Sequence, residues 1–225
     1  MIQVSHALGI NPEFINFDAL EVPVHCDLVP LVLKLKREAQ EAGFQLGLCS
    51  AYRSFEQQLK IWNEKVSGKR PLFDANGEKL DVNSLEPEQI VDHILLWSAL
   101  PGTSRHHWGS DFDVVDADVV KGGYRPQLTL AECSIGGEFH DFQLWLDAYL
   151  KENKSEFYRP YTQRKEFGVS PEPWHLSYRP LAQSFSRVMT LEALQDLLKK
   201  SDLALLDQVL ARLDHIYIHY VQRYF

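Results

Sequence analysis

Residues 101–113 read Pro-Gly-Thr-Ser-Arg-His-His-Trp-Gly-Ser-Asp-Phe-Asp, crowding imidazoles, carboxylates and hydroxyls around turn-forming glycines. Imidazole and carboxylate are the ligands that a borderline-soft divalent metal such as zinc accepts. A catalytic zinc also needs a third protein ligand and an open position for water. Far along the chain, Glu172-Pro173-Trp174-His175 can supply both parts. His175 is the candidate third ligand, and Glu172 the carboxylate that takes a proton from the attacking water. Two ligands close in sequence plus one distant is an ordinary arrangement for such a site. His107 stands beside His106 as its rival. A further polar element, Ser50-Ala51-Tyr52-Arg53-Ser54, brings a guanidinium into a loop.

These residues need elements to carry them. Asp27 to Ala42 places Leu28, Leu31, Val32, Leu35, Ala39 and Ala42 at three-to-four spacing, with Pro30 in the first turn and Gly43 just past the end, which predicts an amphipathic helix. Phe44, Leu46 and Leu48 then alternate with Gln45, Gly47 and Cys49, the period of a half-buried strand that runs into Ser50–Ser54. From Phe55 to about Val66 the pattern returns to helix, with Ser54 as N-cap. Lys69 to Val82 reads as a surface loop, and Ser84 to Leu100 as a helix capped by Ser84 and ended by Pro101-Gly102. Phe112, Val114 and Val115 fall in a strand-like run, Phe139 to Lys151 in a helix, and Trp174 to Tyr178 in an extended segment. After Pro180 two apolar stripes, Leu191–Leu198 and Leu203–Leu213, break near Ser201 and predict a helical hairpin. Runs of strands and helices that do not alternate as βαβ units predict an α+β fold with a small, mainly antiparallel sheet, packed helices and the C-terminal hairpin. Residues 1–180 are expected to form the catalytic domain and residues 181–225 a helical appendage packed on it, since about 40 residues seldom bury enough surface alone.

Composition narrows the class. The chain has 225 residues, 45% hydrophobic and 24% charged, which fits a globular protein and is too apolar for a disordered one. Its net charge of −8 would repel a phosphate backbone, so nucleic acid is set aside as a partner. No apolar run approaches the ~18 residues of a membrane span, and Met1 to Phe14 lack both the basic residues and the apolar core of a signal peptide. A cytoplasmic location without membrane attachment is expected. Cys26, Cys49 and Cys133, odd in number and widely spaced, fit a reducing compartment and are expected to be small buried hydrophobes. Trp62 and Trp97 belong to helical stripes and are expected in the core. His215 and His219 are four apart, but nothing between them offers a third ligand. Asn153-Lys154-Ser155 matches a glycosylation acceptor that a chain without a secretion signal would not use.

Taken together, the motifs resemble those of the VanY-type D-alanyl-D-alanine carboxypeptidases, within the larger group of zinc peptidases that includes lysostaphin and the hedgehog signalling domain. The family pattern Ser-x-His-x-x-Gly-x-Ala-x-Asp is met by Ser104, His106, Gly109 and Asp113, and its Glu-x-Trp-His by Glu172, Trp174 and His175. Its Tyr-Arg-Ser element is met by Tyr52, Arg53 and Ser54. Asp111 departs from the pattern, standing where the family usually has Ala. The resemblance covers about Phe44 to Tyr178 and implies that His106, Asp113 and His175 bind Zn²⁺ and that Glu172 is the general base. It leaves His107 a supporting or surface role. It makes Arg53 the positive group that steadies the oxyanion or the substrate's carboxylate. Gln58 and Ser104 are expected to add polar contacts to the substrate's C-terminus.

The implied activity is a zinc metallocarboxypeptidase releasing C-terminal D-Ala from peptidoglycan peptides. A cytoplasmic enzyme that trimmed pentapeptide would attack the cell's own wall precursors, so the expectation is an L,D-carboxypeptidase acting on tetrapeptide muropeptides in wall recycling. The alternatives are a D,D-carboxypeptidase, a phage-lysin-like endopeptidase and, in a different class, a non-catalytic zinc-stabilised binding domain. The presence of both Glu172 and Arg53 argues against the last.

Overall fold

A computed structural model describes residues 1–152, 155–163 and 165–225, so Asn153 and Lys154 of the acceptor triplet lie outside the described residues. The short helix α1 (Val4–Ala7) and a two-stranded ribbon, β1 (Ile15–Asn16) against β2 (Val24–His25), precede the elements that the periodicity predicts. The first long helix, α2 (Val29–Glu41), has Pro30 in its first turn and follows a 3-10 turn at Cys26–Leu28. Strand β3 (Leu46–Ser50) leads into α3 (Phe55–Val66), where Ser54 and Gln57 form a reciprocal capping box. The expected loop at 69–82 contains a small hairpin, β4 (Leu72–Phe73) with β5 (Lys79–Leu80). The next helix, α4 (Pro87–Trp97), starts later than predicted: Glu86 is its N-cap and Ser84 closes a preceding 3-10 turn instead.

The rest of the described chain completes one antiparallel sheet and two helical layers. Strand β6 (Asp111–Asp116) is followed by the short helices α5 (Ala117–Lys121) and α6 (Leu130–Cys133), then α7 (His140–Glu152) and β7 (Phe157–Tyr158). Strand β8 (His175–Tyr178) runs straight into α8 (Arg179–Ser186), and the sheet order is β3-β6-β8-β7. This is the expected α+β architecture. In the hairpin region the first arm is one helix, α9 (Leu191–Lys199), while the second is broken into α10 (Leu206–Leu210), α11 (Leu213–Ile216), a π-helical turn at Tyr217–Val221 and a 3-10 turn to Tyr224. Leu205, at φ 60°, marks the start of α10 with a left-handed residue.

Two apolar cores flank the sheet's polar face. Phe112, Val114 and Leu176 point to one side, against Leu28, Val32 and Leu35 of the α2 region and Phe142 and Leu146 of α7. The other core packs Leu59 and Trp62 of α3 and Val91, Ile94 and Leu95 of α4 with Leu194 and Leu198 of α9 and with Leu213 and Ile216 of α11. The C-terminal helices therefore share a core with α3 and α4.

Several side chains sit elsewhere than expected. Cys26 and Cys49 are exposed and Cys133 is half-buried, because Cys26 opens a surface turn and Cys49 is the extra residue of a strand irregularity. All three are free thiols. Trp62 is fully buried, but Trp97, at the end of α4, is half-buried in a cleft wall with its indole N–H donated to Asp74 O at 2.9 Å.

Candidate metal centre and its cleft

Register builds the centre. Strands β6 and β8 pair so that Asp113 lies opposite His175 and Asp111 opposite Ser177. Because strand side chains alternate, all four project from one face while Phe112 and Leu176 fill the core on the other. On β3 the register shifts between Leu48 and Ser50, so Ser50 rather than Cys49 comes opposite Asp113.

His106 arrives from a 3-10 turn (Arg105–Trp108) that is stitched to the Arg53 loop. The backbone N–H of Arg53 donates to His106 O at 3.1 Å. The His106 ring places Nδ1 2.9 Å from Ala51 O, which must be a donor contact because a carbonyl only accepts. That leaves Nε2 as the free lone pair. The neighbouring ring is the lock of the same joint: His107 Nδ1 donates to Arg53 O at 2.6 Å and its Nε2 accepts from Gly102 N–H at 3.1 Å. His107 is thus fully committed and buried, with its pKa pushed down to about 3, chiefly by burial. The turn closes on Gly109 at φ 63°, where a Cβ would meet Ile15 Cδ1 at 2.6 Å and His25 N at 2.7 Å, so glycine is required on both counts. Trp108 pins it from below, stacked on Phe185 and donating to Ala7 O.

Donor atoms of three of the five predicted catalytic and metal residues converge, and the other two stand beside them. One donor atom each from His106, Asp113 and His175 lies within 4.8 Å of the others. His106 Nε2 is 3.6 Å from Asp113 Oδ2, and His175 Nδ1 is 3.3 Å from Asp113 Oδ1. These separations suit neighbouring corners of a tetrahedron whose metal–ligand bonds are about 2.0–2.1 Å. Asp113 Oδ1 and His175 Nδ1 are buried atoms without a hydrogen-bond partner, the condition of ligands directed at a cation. The donor set, two imidazoles and a carboxylate, fits zinc.

The electrostatics ask for the same cation. Burial pushes His106 down to about 4, holding it neutral as a ligand must be. Burial alone would raise the Asp113 carboxyl, but His106, His175 and Arg53 hold it below the ordinary range. His175 goes the other way: despite burial, the surrounding carboxylates of Asp111, Asp113 and Glu172 raise it well above the ordinary value. Carboxylates that draw a proton onto His175 would be satisfied equally by a metal ion in its place.

Glu172 stands at the rim, its Oε2 3.4 Å from His175 Nδ1, and burial raises its pKa above the usual carboxylate value. Arg53 donates to Gln58 Oε1 at 2.8 Å and Ser50 Oγ at 3.2 Å while lying in the fields of Asp113 and Glu172. Gln58 is therefore a correction. It is fully buried, with its amide N–H donated to Ala99 O, so it orients Arg53 from behind and does not line the cleft. Ser104, expected to contact substrate, does line it.

The cleft encloses about 760 Å³ and is bounded by Arg53, Lys65, Trp97, Tyr161, Glu172 and the three candidate ligands, among others. Lys65 and Tyr161 were not legible as site residues. Lys65 follows from the helical period of α3, four residues after Ile61 on the same wall. Tyr161 sits in irregular chain and gave no signal, yet its ring packs 5.0 Å from that of His175 and its carbonyl accepts Glu172 N–H.

The comparisons with known proteins agree with this geometry. Residues 22–181 match the family model VanY, D-alanyl-D-alanine carboxypeptidase. An uncharacterized protein of Haemophilus influenzae is 32% identical over 125 residues, covering 54% of this chain and 92% of that protein. A D-alanyl-D-alanine carboxypeptidase of Enterococcus faecalis is 30% identical over 151 residues, 66% of this chain but only 46% of that enzyme's length. The fold is similar to that of the LD-carboxypeptidase LdcB (TM-score 0.52, 20% identity, 88% of this chain and 78% of that one). It is also similar to that of a mutant vancomycin-resistance D,D-pentapeptidase VanY in complex with Zn(II) (TM-score 0.51, 19% identity, 88% and 92%). With the family model spanning most of the chain and its motif residues meeting in one cleft, the chain belongs to the VanY D-alanyl-D-alanine carboxypeptidase family.

Proposed function

We propose that the protein is a zinc carboxypeptidase that releases C-terminal D-Ala from peptidoglycan peptides, and that its preferred bond is the L,D bond of tetrapeptides. The observation that carries the hydrolase reading is the set of partnerless donor atoms of Asp113 and His175 facing His106 with Glu172 at the rim. Zinc, when bound by His106, Asp113 and His175, supplies Lewis acidity to the scissile carbonyl and lowers the pKa of water toward ~7. Glu172, half-buried at the rim and with a raised pKa, accepts the proton of the attacking water and can return it to the leaving amine. Arg53, fixed by Gln58 and Ser50, presents a guanidinium to the negative charge that grows on the carbonyl oxygen. The cleft's cations, Arg53, Lys65 and Arg70, suit a substrate that ends in a free carboxylate. A C-terminal amide should therefore be a poor substrate for an exopeptidase of this kind and a good one for an endopeptidase.

The L,D reading and the cytoplasmic location are proposed together. Three free thiols favour a reducing compartment, where trimming of tetrapeptide serves recycling and trimming of pentapeptide would damage wall precursors. The deciding experiment is mass spectrometry of zinc-loaded protein incubated in parallel with muropeptide tetrapeptide and pentapeptide. Loss of one alanine from the tetrapeptide alone supports the L,D enzyme. Loss from the pentapeptide alone replaces it with a D,D-carboxypeptidase, and a zinc-retaining protein inert on both would favour the binding-domain alternative.

A further inference from the structure

Asp111 occupies the position where the family pattern has Ala, and it is fully buried two residues before a metal ligand. Its carboxylate is saturated. Oδ1 accepts from Arg105 Nε at 2.7 Å and lies 3.0 Å from His175 Nε2; Oδ2 accepts from Ser110 Oγ at 2.7 Å and Ser177 Oγ at 3.0 Å. No lone pair is left over for a metal. Asp111 also holds the nitrogen of His175 on the opposite side of the ring from the one that faces Asp113. It is not a fourth ligand.

Arg105 is as fully engaged. Beyond Asp111 it donates to Ser177 Oγ at 2.6 Å, Tyr158 Oη at 2.9 Å and the backbone carbonyl of Tyr224 at 2.7 Å, with its guanidinium 4.7 Å from the Trp108 ring. A buried charge pair gives little net stability for the desolvation it costs, so the presence of this one calls for a reason other than stability. The geometry supplies it. An imidazole whose Nε2–H is given to a buried carboxylate has its tautomer fixed, its ring orientation fixed and its Nδ1 lone pair made more basic.

We propose that Asp111, held by Arg105, is a positioning residue that fixes His175 as an Nδ1 ligand and strengthens its hold on the metal. The inference rests on the metal centre described above but not on the peptide that is cleaved. Arg105 spans from this carboxylate to the Tyr224 carbonyl, so the C-terminal segment closes the shell around the ligand; Tyr224 also accepts Val169 N–H through its hydroxyl, and its ring packs on Tyr161, which in turn packs on His175.

The test is metal binding by the full chain. Zn(II) affinity is measured by chelator competition and the Co(II)-loaded protein by visible absorption, for wild type and Asp111→Asn, alongside thermal melting of the metal-free forms. Asn keeps the shape and one acceptor but removes the charge, so the expected result is a loss of roughly 10–100-fold in affinity with an altered Co(II) spectrum. A folded Asp111→Asn protein with wild-type affinity and spectrum would overturn the proposal even if its melting temperature falls, because that is the mark of a purely structural pair. If Asp111→Asn does not fold, Ser177→Ala serves, since Ser177 touches Asp111 and Arg105 but is not one of the candidate ligands: a smaller affinity loss with a shifted Co(II) spectrum supports the proposal, and an unchanged pair of readings sinks it. Wild-type protein that binds neither ion would instead remove the metal centre itself, a different failure.

Discussion

The two imidazoles of the metal centre are held in opposite ways. His106 rides on an irregular loop, and the nitrogen behind it is satisfied by a neutral backbone carbonyl, Ala51 O. His175 rides on a strand within a sheet, and the nitrogen behind it is satisfied by a buried, charge-paired carboxylate. The loop side gets precision from backbone conformation and hydrogen bonds: a left-handed glycine, a capped helix start and the His107 joint. The strand side gets its position from register and needs only the correct tautomer, which a charge can impose. Loops must be tied by many small contacts, whereas a sheet can carry one strong electrostatic device.

The variants that break this contrast can be ranked. Glu172→Gln touches neither support; it should keep its metal by elemental analysis and lose roughly 10²–10⁴ in turnover, the usual worth of a general base. Retained turnover would remove Glu172 from its role. Arg105→Met, a change on the loop turn itself, breaks the support of the strand side by leaving Asp111 buried without its countercharge; a stability loss of about 3–5 kcal/mol is expected in denaturant unfolding. Gly109→Ala breaks the loop side through a strained φ and a clash with His25 N, at roughly 1–3 kcal/mol. A larger loss for Gly109→Ala than for Arg105→Met would reverse the comparison. Ser54→Ala removes the cap that ends the Arg53 loop and should cost ~1 kcal/mol by the same measurement.

A pH-dependent effect concerns Lys65. Burial and the nearby Arg70 push it down to about 8 from the ordinary 10.5. Its folded pKa lies below its unfolded one, so the folded state binds fewer protons between those values and stability rises as pH increases through that window. Lys65→Met should remove this rise, seen as a flatter melting temperature from pH 8 upward. In turnover assays the same variant should raise KM for a free carboxylate more than it lowers kcat.

Much of this was readable beforehand for identifiable reasons. Apolar period and cap chemistry are local, so α3 with Ser54, and α2 with Pro30, lie where the pattern puts them. The cleft residues His106, Asp113, Glu172, His175 and Arg53 stood out because their types are rare together in ordinary surface. Gln58 was misread because only three-dimensional packing reveals that both ends of its amide are already engaged. Trp97 and the cysteines were misread because hydrophobicity predicts burial on average and cannot see a cleft wall or a strand irregularity.

The sequence alone determined the chemistry on offer: a set of imidazoles and carboxylates, a proton acceptor and a guanidinium, on an α+β framework. Tertiary structure decided how each is held. It left the motif's His106 with a free Nε2 and made the adjacent His107 a lock, with both of its nitrogens engaged. It also turned Asp111 away from the metal and Asp113 toward it. That choice depends on which nitrogen of His175 each carboxylate meets across β6 and β8, a relation between distant residues that no local pattern encodes.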